Sequence, residues 1–231
     1  MWNKIQRIYI GTNQVRPVYK WEPWANTVAY YKFVNDINDY SWNGYNLTWA
    51  WNYSDNMITS TSTLYYNWNT LLGQDYSGDF SFLVWADFSN TASNAQFMLV
   101  RDNSARPCCW ISQTWGAFIY KGYSQSGYWW VTCPSSWEYS PSGIHHVALV
   151  RSGDTFYSYL DWVQNPDTVT MSGYIWAWNS NTEKWPKFGY SQNSLTTHAQ
   201  VRMWETIIEN RGWSSTEMLE YFKWTKKMYG L

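Results

Sequence analysis

Asp79-Phe-Ser-Phe-Leu-Val-Trp-Ala-Asp-Phe88 is the stretch that decides the fold class of this chain. Aromatic and β-branched residues dominate it, which is typical of a β-strand. Because successive side chains of a strand point to opposite faces, the stretch predicts one apolar core face and one mixed face. The predicted core face carries Phe80, Phe82, Val84, Ala86 and Phe88, and the mixed face carries Ser81, Leu83, Trp85 and Asp87.

Similar short segments recur on both sides of this strand, separated by clusters of Asn, Ser, Asp and Gly. Further strands are predicted at residues 5–10, 28–34, 45–48, 63–66, 96–101, 117–121, 128–132, 146–151, 156–160, 187–190 and 200–208. Many short strands at this spacing indicate an all-β fold, here an antiparallel two-sheet β-sandwich of the jelly-roll type.

One α-helix is predicted at the C-terminal end, over residues 214–229. Ser214-Ser-Thr-Glu217 fits a capping box, and Trp213 and Met218 occupy the positions of a hydrophobic staple. We therefore expect residues 27–231 to form a single sandwich closed by this helix. Residues 1–26 are expected to be a short N-terminal strand, an attachment segment and a linker with two breakers.

The charge balance argues against nucleic-acid binding. The chain has 231 residues and a formal net charge of −1, so it has no basic field for phosphate backbones, and no nucleic-acid partner is expected.

No stretch is long enough to span a bilayer, so no membrane insertion is expected. The N-terminus lacks the apolar region of a secretory signal peptide, which predicts assembly in a cytoplasm.

Four segments, in this order, carry a family resemblance. They are residues 29–48, residues 79–87, Gly143-Ile-His-His-Val-Ala-Leu-Val-Arg151 with Phe156-Tyr-Ser-Tyr-Leu-Asp-Trp-Val163, and residues 200–217. Together they resemble the opening strand, central strand, paired hairpin strands and terminal helix of the laminin-G-like, concanavalin-A-like jelly-roll lectins. Residues 5–17 are similar to leader segments of bacteriophage virion proteins that precede lectin-like domains.

The resemblance implies a function without catalysis. The chain is expected to be a phage virion-associated, lectin-like protein that attaches to or decorates a surface, with surface glycans or other virion proteins as partners. Virion localisation is what the resemblance of residues 5–17 implies, and homo-oligomeric assembly is left open. Two alternatives stay open, a purely structural capsid or tail component without a ligand and a cellular carbohydrate-binding lectin.

The chain departs from the family pattern at several tryptophans. It has 20 Trp and only 13 Gly, and where it reads Ser41-Trp-Asn-Gly44 and Asp161-Trp162 the family would carry Gly instead of Trp. Trp68, in Asn67-Trp-Asn69, has a similar turn setting, in which the backbone often needs a positive φ. One hypothesis is that UGA codons are read as Trp in this sequence and as Gly in the source organism.

Candidate carbohydrate-binding residues concentrate in one aromatic stretch. It contains Tyr123, Tyr128, Trp129, Trp130 and Trp137, interspersed with Ser and Gly. In a strand, Trp129 and Trp130 would point to opposite faces, and an exposed ring beside polar groups suits stacking on a sugar. The alternative is that these rings fill the core and rim of the sandwich.

Calcium is the one cofactor considered. Asp36, Asn38, Asp39 and Asn43 cluster in the first loop and supply the hard oxygens that Ca²⁺ prefers. Ordinary turn chemistry explains the same cluster.

No catalytic set is apparent, so the chain is not expected to be an enzyme. Glu205 and Glu209 would share one face of a strand about 13 Å apart, which is too far for a glycosidase pair, and they are interpreted as surface charges. His145 and His146 would point to opposite faces, and His146 resembles a structural histidine of the family.

The three cysteines, Cys108, Cys109 and Cys133, match no zinc-binding spacing. They are interpreted as buried or idle thiols, with a bridge between neighbouring strands left open.

Overall fold

The computed structural model describes residues 9–10, 13–14, 25–33, 36–48, 51–54, 57–60, 64–66, 78–88, 95–101, 107–114, 117–124, 127–133, 143–170, 187–191, 202–228 and 230–231. Strands and one helix are numbered in chain order: β1 (Tyr9–Ile10), β2 (Asn13–Gln14), β3 (Thr27–Tyr31), β4 (Leu47–Thr48), β5 (Trp51–Ser54), β6 (Met57–Ser60), β7 (Leu64–Tyr66), β8 (Phe80–Asp87), β9 (Ala95–Arg101), β10 (Pro107–Thr114), β11 (Ala117–Ser124), β12 (Gly127–Cys133), β13 (Ile144–Ser152), β14 (Thr155–Leu160), β15 (Val163–Gln164), β16 (Val169–Thr170), β17 (Lys187–Ser191), β18 (Arg202–Glu209) and α1 (Ser215–Met228).

The strands form two large antiparallel sheets. The first has seven strands in the order β12-β11-β10-β9-β17-β7-β4. The second has nine, along the path β15-β14-β13-β8-β18-β6-β5, with β16 beside β14 and β3 beside β18. A separate hairpin joins β1 and β2. The predicted all-β sandwich with one C-terminal helix is confirmed.

β8 lies at the centre of the nine-stranded sheet, between β13 and β18. Phe80, Phe82 and Val84 are fully buried on the predicted core face. The opposite face is not a mixed surface, because Leu83 and Trp85 are each only 1% exposed. Both faces of β8 are therefore core, and the second one needs a cover from elsewhere in the chain.

Helix α1 provides that cover. Met218, Tyr221 and Phe222 join Leu83 and Trp85 in one buried apolar cluster. The Trp85 ring stacks on Phe222 with 5.3 Å between centroids. Its indole N–H donates to Thr225 Oγ1 at 3.0 Å. The helix is thus fastened to the central strand by ring packing and one buried hydrogen bond.

The start of α1 is a reciprocal capping box, as the sequence predicted. Glu217 N–H donates to Ser214 Oγ at 3.3 Å, and Ser214 N–H donates to Glu217 Oε2 at 2.9 Å. Glu217 Oε1 also accepts from Arg211 Nη1 at 2.7 Å. Burial acts to raise the pKa of Glu217, but the hydrogen bonds from Ser214 and Arg211 outweigh it and lower that pKa.

Each strand predicted between residues 28 and 208 overlaps an observed strand, but several observed strands were not predicted. β10 begins at Pro107 and has register shifts near Cys109, which interrupt the pattern expected of a strand. β5 and β6 form a hairpin from short segments that carry several polar residues. Helix α1 has 14 residues, and in the described ranges no helix is long and apolar enough to cross a membrane.

Candidate functional site

The predicted carbohydrate-binding aromatics lie on the hairpin of β11 and β12. Position 123 pairs with position 128, and position 121 pairs with position 130, without a register shift. Alternation therefore places Tyr123, Tyr128 and Trp130 at positions of one face and Trp129 at a position of the other. Trp137 lies outside the described residues.

This hairpin is at one end of the seven-stranded sheet. β12 is the terminal strand in the observed strand order, and its backbone approaches β14 and β16 of the nine-stranded sheet. The aromatic stretch therefore lies where the margins of the two sheets meet. Clefts at the margin of a rigid framework are frequent ligand sites, since they are concave and accessible.

The first loop, over residues 36–46, is organised around Asp39. Its Oδ1 accepts the backbone N–H groups of Tyr30 and Ser41, at 2.9 Å and 2.8 Å. Its Oδ2 accepts the Ser41 hydroxyl at 2.7 Å and the Tyr45 N–H at 2.9 Å. An ionised carboxylate offers about four lone-pair sites, so the hydrogen bonds of this loop occupy Asp39 fully.

The other residues of the predicted calcium set have partners as well. Asn43 Nδ2 donates to the carbonyls of Thr27 and Val28, at 2.9 Å and 3.0 Å. Asp36 accepts from the Asn38 N–H at 3.2 Å and from the Tyr40 hydroxyl at 2.6 Å. In the part of the chain that the structure describes, no group of three or more His, Cys, Asp or Glu side chains could hold a metal ion. The geometry favours turn chemistry, and the calcium site stays a prediction.

Tyr40 is a candidate contact that the sequence analysis did not single out. Its side chain is exposed, and Lys32 Nζ lies 4.3 Å from the centre of its ring. The hydrogen bond to Asp36 is the main reason that the pKa of the Tyr40 hydroxyl is raised. An exposed ring flanked by a cation and a carboxylate offers both stacking and polar contacts to a sugar. In the sequence, the position of Tyr40 between Asp39 and Asn43, two of the predicted calcium residues, was the signal that could have identified it.

The interpretation of Glu205 and Glu209 as surface charges is wrong. Glu205 is 1% exposed and Glu209 is 0% exposed, because β18 lies inside the nine-stranded sheet. Glu209 Oε2 accepts the Trp213 indole N–H at 2.6 Å and lies 2.7 Å from Arg211 Nε, while Oε1 accepts the Thr27 hydroxyl at 3.2 Å. Burial raises the pKa of Glu209, and these partners only partly offset it. Glu209 is a structural anchor.

The two histidines occupy opposite faces of β13, as predicted. His145 Nδ1 lies 2.8 Å from Asp161 Oδ2. His146 is 0% exposed, with its ring 5.3 Å from that of Trp85 and 5.4 Å from that of Tyr221. Neither ring nitrogen of His146 has a hydrogen-bond partner among the described residues. Burial lowers the pKa of His146 to about 3, although Asp161 acts in the opposite direction.

The strand register separates the cysteines. β11 lies between β10 and β12, with position 122 opposite Cys109 and position 118 opposite Cys133. Two strand spacings alone amount to about 10 Å, more than a disulfide spans between Cα atoms. A bridge from Cys133 to either Cys108 or Cys109 is therefore excluded.

No family model matches the chain, and no curated protein matches it. Solved structures do match. The binding domain of Paraclostridial Mosquitocidal Protein 1 has a TM-score of 0.62 at 15% identity, covering 85% of this chain and 52% of that one. A structure of botulinum neurotoxin type C has a TM-score of 0.62 at 12% identity, covering 86% and 51%. The binding domain of botulinum neurotoxin DC has a TM-score of 0.61 at 10% identity, covering 86% and 51%.

At sequence identities of 15%, 12% and 10%, these matches show a shared fold and nothing more specific. The chain is an antiparallel β-sandwich with a terminal helix, and this fold is shared with the binding domains of Paraclostridial Mosquitocidal Protein 1 and botulinum neurotoxin DC. The chain spans about half the length of each of these structures.

Proposed function

We propose that this chain is a non-enzymatic carbohydrate-binding protein that attaches a larger particle to glycans on a surface. The observation that carries the proposal is the sandwich shared with binding domains. One of those structures concerns a toxin whose passage into cells depends on interaction with two ganglioside molecules, and another contains SialylT. Because a fold does not determine function, the proposal also needs a plausible site on this chain.

The hairpin of β11 and β12 is the proposed contact surface. It brings positions 123, 128 and 130 to one face at the margin of the sandwich. Aromatic residues offer flat apolar area for stacking, and position 121, which pairs with position 130 and so shares this face, carries a lysine that could contact sugar hydroxyls. Tyr40, with Lys32 beside its ring, is a second contact surface within the described side chains.

Burial of the two glutamates supports the non-enzymatic part of the proposal. Glycoside hydrolysis needs two carboxyl groups flanking the bond. Glu205 and Glu209 are inaccessible to a polysaccharide because β18 is an internal strand. Two of the matching structures are binding domains as well.

The proposed setting is a phage virion, in which the sandwich would decorate the particle. Its support is the likeness of residues 5–17 to virion leader segments and the laminin-G-like order of the four segments in residues 29–217. Mass spectrometry of purified particles tests it. Peptides of this chain in stoichiometric amounts would support a virion protein, and their absence would refute it.

A glycan array, read with calcium and again with a chelator, tests the binding proposal. We expect reproducible binding to a restricted set of glycans that persists in chelator, since the loop oxygens around Asp39 are already hydrogen-bonded. The variants Trp129→Ala and Trp130→Ala are compared, because their positions lie on opposite faces of β12. One of these two variants should abolish glycan binding while the protein stays folded. Tyr40→Ala then shows whether the first loop contributes to glycan binding.

Binding that disappears on chelation would restore the calcium site at Asp36, Asn38, Asp39 and Asn43. No binding in either buffer would refute the glycan proposal and favour a structural capsid or tail component. Release of reducing ends from a polysaccharide would refute the non-enzymatic assignment.

A further inference from the structure

Trp42 has a backbone conformation that suits glycine. Its φ is +74°, close to the φ of +73° at Gly44, two residues later. The side chain is 89% exposed, and in the described ranges no hydrogen bond or ring contact holds the indole. The chain therefore adopts a left-handed conformation at a bulky L-residue without packing to offset its cost.

Trp162 repeats this situation in a hairpin. Leu160 pairs with Val163, so Asp161 and Trp162 form a two-residue loop, with φ values of +48° and +71°. Two successive positive φ values define a type I′ turn, for which Asp-Gly is among the strongly preferred pairs. The preceding hairpin, between β13 and β14, does use glycine at its positive φ, since Gly153 has φ +59°. The Trp162 ring is 41% exposed.

Phe33 shows what compensation for a positive φ looks like. Its φ is +53°, but its side chain is fully buried and its ring stacks on Tyr31 with 5.8 Å between centroids. The free energy gained by burying an aromatic ring is larger than the free energy lost by holding one residue in the left-handed conformation. Trp42 is exposed, so no comparable burial offsets its strained backbone.

Other tryptophans are integrated into the core. Trp85 and Trp213 are 1% and 4% exposed, and the indole N–H of each donates a hydrogen bond, to Thr225 and to Glu209. Trp204 is 7% exposed and belongs to the same cluster. None of the three has a positive φ. Among the tryptophans whose side chains the structure describes, Trp42 and Trp162 alone have a positive φ, and the half-buried Trp224 packs against the core cluster from α1.

We infer that the natural protein carries glycine at positions 42 and 162, encoded by UGA codons that the source organism reads as glycine, and genuine tryptophan at positions 85, 204 and 213. The composition agrees, because 20 Trp and 13 Gly is an unusual ratio for a protein with this many turns. One consequence concerns the proposed function. The exposed Trp42 ring, only two residues from Tyr40, would be absent from the natural protein and must not be counted as a sugar-stacking surface.

The coding sequence together with peptide masses from the natural source tests this inference directly. We expect UGA at codons 42 and 162, UGG at codons 85, 204 and 213, and glycine masses in the peptides that contain positions 42 and 162. A UGG codon at position 42 or 162, or a tryptophan mass there, would overturn the inference.

Recombinant variants test the backbone argument independently. Trp42→Gly and Trp162→Gly should each raise the folding equilibrium constant roughly fivefold, because the left-handed strain exceeds the extra chain entropy of glycine. Trp42→Ala and Trp162→Ala are the matched controls, since they remove the ring and keep the strained Cβ. Equal effects of Gly and Ala at both positions, or a loss of stability with Gly, would contradict the assignment.

Discussion

Acidification should destabilise this protein through His146. The imidazole is fully buried between β13 and α1, against Trp85, Tyr221 and Phe222. In this apolar cage the neutral ring is favoured, and burial lowers the pKa to about 3 from the ordinary 6.5. Below pH 6.5 the unfolded chain therefore takes up a proton that the folded chain excludes.

The sign and size of the effect follow from this difference in pKa. Stability rises with pH wherever the unfolded state binds more protons, so the contribution of His146 is complete above pH 6.5 and is lost as the pH falls towards 3. The loss should reach about 2 kcal/mol at pH 5 and about 3 kcal/mol at pH 4. For a chain of this size, the loss at pH 5 corresponds to a fall of roughly 4–8 °C in Tm.

Urea unfolding between pH 7.5 and pH 4, for the wild type and for His146→Phe and His146→Leu, measures this contribution. The two variants keep an apolar ring or side chain in the cage and cannot titrate, so their stability should fall less with acid. Subtracting the unfolding free energies of the variants from that of the wild type cancels the contribution of other groups. One such group is Glu209, whose raised pKa acts in the opposite direction and favours the folded state in acid. His145→Gln is the matched control, because it leaves the buried His146 ring in place, and it should lose more stability in acid than the two His146 variants.

Parallel curves for the wild type and both His146 variants across this pH range would refute the reasoning. So would acid sensitivity that disappears in His145→Gln.

Three further perturbations have expected outcomes in denaturant unfolding. Ser214→Ala removes the N-cap hydroxyl and should cost about 1 kcal/mol, whereas Ser214→Thr keeps a hydroxyl at the cap and should cost less; equal losses would contradict the capping assignment. Trp85→Ala should lower the free energy of unfolding by about 3–5 kcal/mol, because it leaves a cavity where β8 packs against α1. A loss below about 1 kcal/mol would show that the packing of the helix does not depend on this ring. Asp39→Ala should cost about 2–4 kcal/mol and should do so equally with calcium or chelator, since its oxygens accept four hydrogen bonds within the protein; a loss that appears only when calcium is present would indicate a metal site instead.

Local chemistry was predictable from the sequence, and tertiary burial was not. The capping box of Ser214 and Glu217 involves residues three apart, so the spacing alone predicted it. Alternation in β8 assigned its two faces correctly, but residues 218–222 of α1, more than a hundred residues away, decide that both faces are buried.

The same limit explains the error at β18. Nothing near Glu209 in the sequence reveals that Thr27, 182 residues away, will hydrogen-bond to it inside a sheet. For the candidate site, the β11–β12 hairpin follows from local pairing, whereas its position beside β14 and β16 depends on how the sheets associate.

Titration calorimetry with ganglioside oligosaccharides and SialylT tests the central claim, glycan binding by this sandwich, most directly. We expect saturable binding by the wild type and its loss in one of the variants Trp129→Ala and Trp130→Ala, with both variant proteins folded. Absence of saturable binding to every glycan offered, or undiminished binding by both variants, would contradict it.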